Sequence, residues 1–379
     1  MLNARKFRHT LVLGKFYPPH AGHHHLIRTA AKVSDRTTVA VLASPVESVP
    51  LADRVYWLAA EHWSDPGVVV LGDIDDRPLD RYDRGAWELH LKVLRSVLAR
   101  RAIREDDPAV APVDAVFSNE PYGDELAARL GATHVPVDPQ HRAVPVSGSS
   151  VRADPVGQWQ HLAMPTRAGL AARVIVVGAE STGTTTLSEQ LAAHYRNRGG
   201  SFRDTRSVAE YARVHCEEKL AAEHALAKAS GRPPPTVDNL GWTVGDFLDV
   251  ARRQAIAEDD AAARGGPLLV CDSDSWAATI WCERYLGRPY PEVEQLVGER
   301  RPALYLLTDH VGVACQPESW HDHTHRREWM TARFVRGLRD RGVPWVLLTG
   351  DPTHRLRRAV RACDDLLGTH FRFAEPLGG

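Results

Sequence analysis

The chain has 379 residues, 43% hydrophobic and 25% charged, and its 47 lysines and arginines almost balance 48 aspartates and glutamates. That length favours two or three domains, each able to bury its own core, and the near-zero net charge argues against a dominant electrostatic nucleic-acid surface. No apolar signal core opens the sequence and no run approaches the roughly 18 apolar residues of a membrane span, so the composition points to a cytoplasmic protein. The five cysteines, Cys216, Cys271, Cys282, Cys315 and Cys363, form no CxxC pair and are expected as reduced thiols.

In chain order, residues 9–14 predict a strand and 23–32 a helix. Strands follow at 37–42, 68–71, 114–117 and 134–137, with helices at 53–63, capped by Asp53, and at 87–101. This alternation predicts a doubly wound parallel sheet. Pro155, Gly157, Pro165 and Gly169 mark 154–172 as a junction, giving domains at 1–160 and 170–379. The pattern then restarts with a strand at 173–177 and a helix at 185–196. Apolar strands are expected at 268–271, 303–307 and 345–348. The alanine-rich stretch 220–235, ending in three prolines, is expected to be a mobile excursion.

The first strand runs into Gly14-Lys15-Phe16-Tyr17-Pro18-Pro19-His20-Ala21-Gly22-His23. A glycine lets backbone approach a phosphate, the prolines stiffen the turn, and His20 and His23 fall at a helix mouth that favours anions. Two imidazoles there suit charge developing on an α-phosphate and leaving pyrophosphate. The run resembles the HxGH motif of the nucleotidyltransferase superfamily. Ser147-Gly148-Ser149-Ser150-Val151-Arg152 resembles its SxSxxR motif. In that likeness Gly14, Lys15, Phe16, Ser147 and Ser149 lie near the ATP phosphates and Arg152 clamps pyrophosphate with its planar fork. His24 and His25 are read as structural.

The second strand–loop–helix unit carries Gly178-Ala179-Glu180-Ser181-Thr182-Gly183-Thr184-Thr185-Thr186. It has P-loop glycine spacing with Thr184 where lysine is expected. Backbone N–H groups still form the anion nest, Thr185 occupies the Mg-binding hydroxyl position, and a cation for the β- and γ-phosphates is missing. Cys271-Asp272-Ser273-Asp274 ends an apolar strand. If the strand continues, Asp272 and Asp274 point to one side, where either could hold Mg or take a hydroxyl proton.

Val116 to Gly123, with Asn119 and Glu120, and Val137 to Arg142 complete a resemblance to NadR-type proteins over nearly the whole length. Those join a nicotinamide mononucleotide (NMN) adenylyltransferase to a ribosylnicotinamide kinase. The resemblance implies an α/β chain of two doubly wound parallel-sheet domains, a Rossmann-like HxGH nucleotidyltransferase followed by a P-loop kinase-like domain. It implies ATP, NMN and nicotinamide riboside as substrates, NAD as product and Mg2+ on the triphosphate. Trp87 would stack on nicotinamide or else be a core tryptophan; Asn119 and Glu120 would frame the NMN pocket; Arg142 would meet a phosphate or lie on the surface. In the second half Asp272 and Asp274 match an Asp-x-Asp element. Glu210, Tyr211 and Arg213 match an EYAR element of the riboside pocket, with Trp242, Asp246 and Gln254 of similar standing. The run His321-Asp322-His323-Thr324-His325-Arg326-Arg327 suits zinc chemically, but a phosphoryl-transfer lid offering Arg326 or Arg327 is favoured, and would replace charge lost at Thr184. Two competing readings stand beside this one. Thr184 favours a nucleotide-sensing second half. A DNA-binding helix-turn-helix regulator is disfavoured by a first strand beginning near residue 9. Oligomeric state stays open, a homo-oligomer included.

Overall fold

Leu11 and Val12 are both fully buried yet point to opposite faces of one strand, as a sheet covered on both sides requires. The computed structural model describes residues 7–77, 83–105, 112–298, 300–313 and 323–377. The chain divides after Leu170 and again after His370, so the first unit also takes in the segment from Phe371 onward. The sequence reading placed everything after 170 in the second domain; the last segment differs because it packs on the first unit.

In the first unit β1 (Phe7–Gly14), β2 (Ser34–Ala43), β3 (Val68–Ile74), β4 (Ala115–Ser118) and β5 (Thr133–Pro136) form a parallel sheet in the order β3-β2-β1-β4-β5. One core holds Val12, Ile27, Val39 and Leu58; the other holds Leu11, Leu91, Leu94 and Val116. Each such side chain contributes about 1.5–3 kcal/mol of burial. The strand order reverses between β1 and β4, which opens a crevice at their carboxyl ends. Asp53 is not the cap expected: the helix begins at Leu51 after Pro50, and Asp53 lies in its first turn.

In the second unit β6 (Ala172–Gly178), β7 (Arg206–Val208), β8 (Leu268–Asp272), β9 (Leu304–Thr308) and β10 (Trp345–Leu348) form a parallel sheet ordered β10-β9-β6-β8-β7. The expected excursion at 220–235 is instead largely the end of a helix, Tyr211–Ser230, closed by Gly231 at φ 67°. Among the described residues no helix is long and apolar enough to cross a membrane.

Candidate active sites

In the first unit β1 ends at Gly14 and the loop leads into the helix Ala21–Lys32. His20 caps that helix: its Nδ1 accepts from the Gly22 N–H at 3.2 Å, and His23 Nδ1 accepts from the His20 N–H at 3.3 Å. A neutral imidazole accepting at Nδ1 carries its proton on Nε2. Burial, reinforced by His141, His161 and Arg152, lowers His20 to about 3, and burial with His20 beside it holds His23 well below the ordinary range. Both rings are thus neutral Nε2–H donors at neutral pH, 3.7 Å apart between centroids. His20 Nε2 is buried without a hydrogen-bond partner. Gly22 permits this packing, since a Cβ there would lie 3.1 Å from the His20 ring and 3.4 Å from the Val146 carbonyl oxygen.

This arrangement predicts acid sensitivity. His20, His23 and His24 have folded pKa values below the unfolded value near 6.5, His24 at about 3 through burial and neighbouring His62. The unfolded chain therefore binds more protons between those limits, so stability present above pH about 6.5 falls as pH drops towards about 3. Thermal melts from pH 7 to 4 should show the first unit losing stability, with a shallower slope in His24→Phe.

Ser147 caps the short helix Gly148–Ala153. Its Oγ accepts from the Ser150 N–H at 3.1 Å and lies 3.0 Å from Ser149 Oγ. Arg152 Nη1 donates to the Tyr17 carbonyl at 3.0 Å, and its guanidinium lies 5.5 Å from the Tyr17 ring centroid. A Cβ on Gly148 would stand 3.1 Å from Arg152 Nη1 and 3.8 Å from His20 Nε2. The structure therefore gathers His20, His23, Ser147, Ser149 and Arg152, all able to donate hydrogen bonds, at one place.

Lys15 and Phe16 differ from the expected phosphate contacts. Lys15 Nζ pairs with Glu47 Oε1 at 3.1 Å and donates to the Leu377 carbonyl. The Phe16 ring is 1% exposed, lies in the core and packs edge-on against His23 with centroids 4.9 Å apart. A Cβ on Gly14 would meet that ring at 3.4 Å, so Phe16 occupies the space beside the glycine. Behind them Arg54 and Glu47 form a fully buried ion pair at 2.6 Å, and Arg54 also donates to the Lys15 and Val49 carbonyls. Removing one partner of such a pair strands a buried charge, which makes it a rigid support for the loop.

Trp87 is 2% exposed, packs among Leu91 and Leu94, and has the Arg129 guanidinium 5.1 Å from its ring centroid. Of the two readings, the packing role describes where it lies. Asn119 Oδ1 accepts from the Asp138 N–H at 2.8 Å, and the Asp138 carboxylate accepts from the N–H groups of Arg142, Ala143 and Val144. Asn119 thus joins the loop after β4 to the loop that carries His141. The side chains of Glu120 and Arg142 are exposed.

In the second unit Gly178 ends β6, Ser181 and Gly183 adopt φ of 58° and 87°, and the helix Thr184–Arg198 follows. A Cβ on Gly178 would stand 2.1 Å from Thr308 Oγ1 and 2.5 Å from Thr182 Oγ1, a clash that requires glycine. Thr182 Oγ1 donates to the Ala179 carbonyl at 2.7 Å. Arg355, 5% exposed, donates to the carbonyls of Thr182, Asp309 and Gly350, each at 2.8 Å, tying together loops after β6, β9 and β10. On the first turn of this helix Thr184 and Thr185 are half-buried and Thr186 is exposed.

Thr185 Oγ1 donates to Asp272 Oδ2 at 2.6 Å, and Thr184 precedes it at the start of the helix. Burial raises Asp272 while both hydroxyls oppose the shift. A hydroxyl and a carboxylate on one spot are hard oxygen donors and fit Mg2+. Asp274 does not join them. Strand β8 stops at Asp272, Ser273 turns at φ 69°, and Asp274 enters the core, where Oδ1 accepts from the Ala277 N–H at 2.8 Å and Oδ2 from the Tyr305 hydroxyl at 2.5 Å. It binds the first N–H of the helix Ala277–Leu286 and is 5% exposed.

Glu210 is drawn in by the sheet register: Val208 pairs with Cys271, so the chain leaving β7 passes beside Asp272. Burial and the neighbouring Asp272 raise Glu210 to about 7, with Arg213 opposing. Buried Gln254 fixes the placement by accepting from the Tyr211 N–H at 2.9 Å and donating to the Ser273 carbonyl at 3.3 Å. Trp242 lies 5.3 Å from Phe247 and 5.2 Å from Tyr285 between centroids. Asp246 binds Lys219 at 2.6 Å and His215 at 2.9 Å.

Of the expected lid, His321 and Asp322, like Cys315, lie outside the described residues. Arg327 is buried and donates to the carbonyls of Val313 and His310, both at 3.3 Å, so it holds the loop after β9. Arg326 is half-buried on the same helix, His323–Arg341. Arg284 was not foreseen: it lies 3.6 Å from Glu180 of the P-loop, with its Nε buried and unpartnered. Among the described residues no group of three or more His, Cys, Asp or Glu is arranged to hold a metal ion.

A family model described as "AAA domain" matches residues 173–355. The Escherichia coli (strain K12) protein "Trifunctional NAD biosynthesis/regulator protein NadR" is 23% identical over 376 residues, covering 94% of this chain and 83% of the relative. Over that length the chain is similar to NadR-type proteins. The Salmonella typhimurium protein of the same description is 23% identical over 311 residues, or 79% of this chain and 68% of the relative. Two solved structures share the NadR-type fold. A NadR protein in complex with NAD and AMP-PNP is 18% identical with a TM-score of 0.63, covering 96% of both chains. A NadR protein in complex with NR is 18% identical with a TM-score of 0.62, covering 97% of this chain and 98% of that one.

Proposed function

We propose that the first unit adenylylates NMN with ATP, giving NAD and pyrophosphate, and that the second phosphorylates nicotinamide riboside to NMN. The observation that carries this reading is the pair of neutral Nε2–H donors, His20 and His23, beside Arg152. Adenylyl transfer needs no nucleophilic side chain, because the NMN phosphate attacks the α-phosphorus directly. What it needs is positioning and stabilisation of charge on the phosphoryl oxygens. Neutral imidazoles give N–H donors without losing a proton to the leaving group, and Arg152 suits departing pyrophosphate.

In the second unit the P-loop amides would cradle the phosphates, while Thr185 and Asp272 would hold Mg2+, which offsets triphosphate charge when bound. Thr184 stands in the lysine's place and supplies no cation. Arg213, whose charge acts on both Asp272 and Glu210, and Arg284 beside Glu180 are the cations that can act in place of the lysine, together with Arg326 of the expected lid, while Arg327 is held by the Val313 and His310 carbonyls. Glu210, with a pKa near neutrality, is suited to take the riboside hydroxyl proton. Trp242 and Tyr285 offer aromatic faces for a cationic nicotinamide ring.

The test is direct. Pure protein with ATP, Mg2+ and nicotinamide riboside should yield NMN and ADP, and with NMN it should yield NAD and pyrophosphate. The missing P-loop lysine favours a second reading, an active adenylyltransferase with a nucleotide-sensing second unit; ATP binding without riboside turnover would select it. If Glu210 is the base, kinase kcat/KM should rise with pH through about 7 as the carboxyl ionises, and Glu210→Gln should remove that limb.

A further inference from the structure

The segment Phe371–Leu377 follows the last helix of the second unit, Pro352–His370, yet belongs to the first. It lies against the turn that carries the histidine motif. Phe373 packs edge-on against Tyr17 with centroids 5.5 Å apart, and the Ala374 carbonyl accepts from the Tyr17 hydroxyl at 3.0 Å. The Ala374 N–H donates to Ser48 Oγ at 3.1 Å, and Ser48 Oγ lies 2.6 Å from the same hydroxyl. The Leu377 carbonyl accepts from Lys15. Phe371 packs against buried Trp159, with centroids 5.9 Å apart.

Tyr17 has a second set of contacts. Its carbonyl accepts from Arg152 Nη1 at 3.0 Å and its ring lies under that guanidinium. The Arg54 guanidinium lies 4.5 Å from the ring centroid. Tyr17 is thus held by the strap through its hydroxyl and ring edge, and it holds Arg152 through its carbonyl and ring face. Tyr17 is 2% exposed, and without the strap its ring and hydroxyl would lose this cover.

We infer that residues 371–377 are a positioning element of the adenylyl-transfer site, setting Arg152 through Tyr17 and fixing Lys15 on Glu47. This rests on the functional reading above. The strap touches no reacting atom; its effect passes through Tyr17 and Lys15, so it should alter the use of ATP more than the fold.

The test compares the full chain with a chain ended after His370, assaying both reactions. The truncated chain is expected to lose about tenfold or more in kcat/KM for ATP in adenylyl transfer, the scale of a displaced positioning group. Riboside phosphorylation should be unchanged, and a synthetic peptide of residues 371–377 should restore adenylyl transfer. Phe373→Ala and Tyr17→Phe in the full chain should give smaller losses in the same parameter; they decide the matter if the truncated chain does not fold. Unchanged ATP kinetics in a folded truncated chain, or in both point variants, overturns the strap's role alone. An intact chain without adenylyl transfer overturns the functional reading, and this inference with it.

Discussion

Replacing His23 by alanine is expected to lower NAD formation from ATP and NMN by about 10²- to 10³-fold, the usual loss on deleting one donor to developing charge. His23 is the sharper choice because His20 also caps the helix and accepts from Gly22, so its loss would mix stability with catalysis. His23 Nδ1 accepts only a long 3.3 Å bond from the His20 N–H, and its ring braces on Phe16. His23→Ala should therefore reduce kcat, leave the KM for NMN within a few-fold and leave riboside phosphorylation untouched. His23→Gln, which keeps an N–H donor, should recover part of the loss. Equal activity of His23→Ala and the native chain would remove His23 from the mechanism.

Asp272→Asn is the second large effect, expected to cut riboside phosphorylation by about 10²- to 10⁴-fold. Asparagine keeps the shape and can still accept from Thr185, so the P-loop should stand. The negative charge that would hold Mg2+ is gone. A second readout separates this from general damage. Asp272 is one reason Glu210 has its pKa raised to about 7. Without that charge, the acid limb of the residual activity should move to lower pH. Asp274→Asn should instead lower stability, because Asp274 accepts from Tyr305 and Ala277 inside the core, and it should change kcat far less.

The βαβ rhythm of both halves was legible because parallel strands buried on both faces read as unbroken apolar runs. Only the three-residue β7 escaped, since its first two residues are exposed and carry no such pattern. The histidine and serine–arginine motifs were legible because their spacing is local and the helix start imposes it. Three departures have a common cause in long-range packing. Phe16 was expected beside the ATP phosphates and its ring lies in the core. Lys15 was expected there too and is paired with Glu47. Asp274 looked like a partner of Asp272 until the turn at Ser273 sent it inward. The Arg54–Glu47 pair and the triple carbonyl grip of Arg355 had no sequence signal. An arginine on a helix reads as surface until the fold shows which carbonyls it meets.

The division of the chain after Leu170 and after His370 makes the second unit an insertion within the first. A ribosome delivers the motif at 14–23 before the P-loop unit and the residues that cover Tyr17 only after that whole unit has emerged. Domains usually complete themselves in the order of synthesis; here the first must wait for the second. An early-terminated chain would carry both histidines and Arg152 yet lack the cover on Tyr17. The cover on Tyr17 beside His20, His23 and Arg152 would then occur only on polypeptides that had been translated past the P-loop unit.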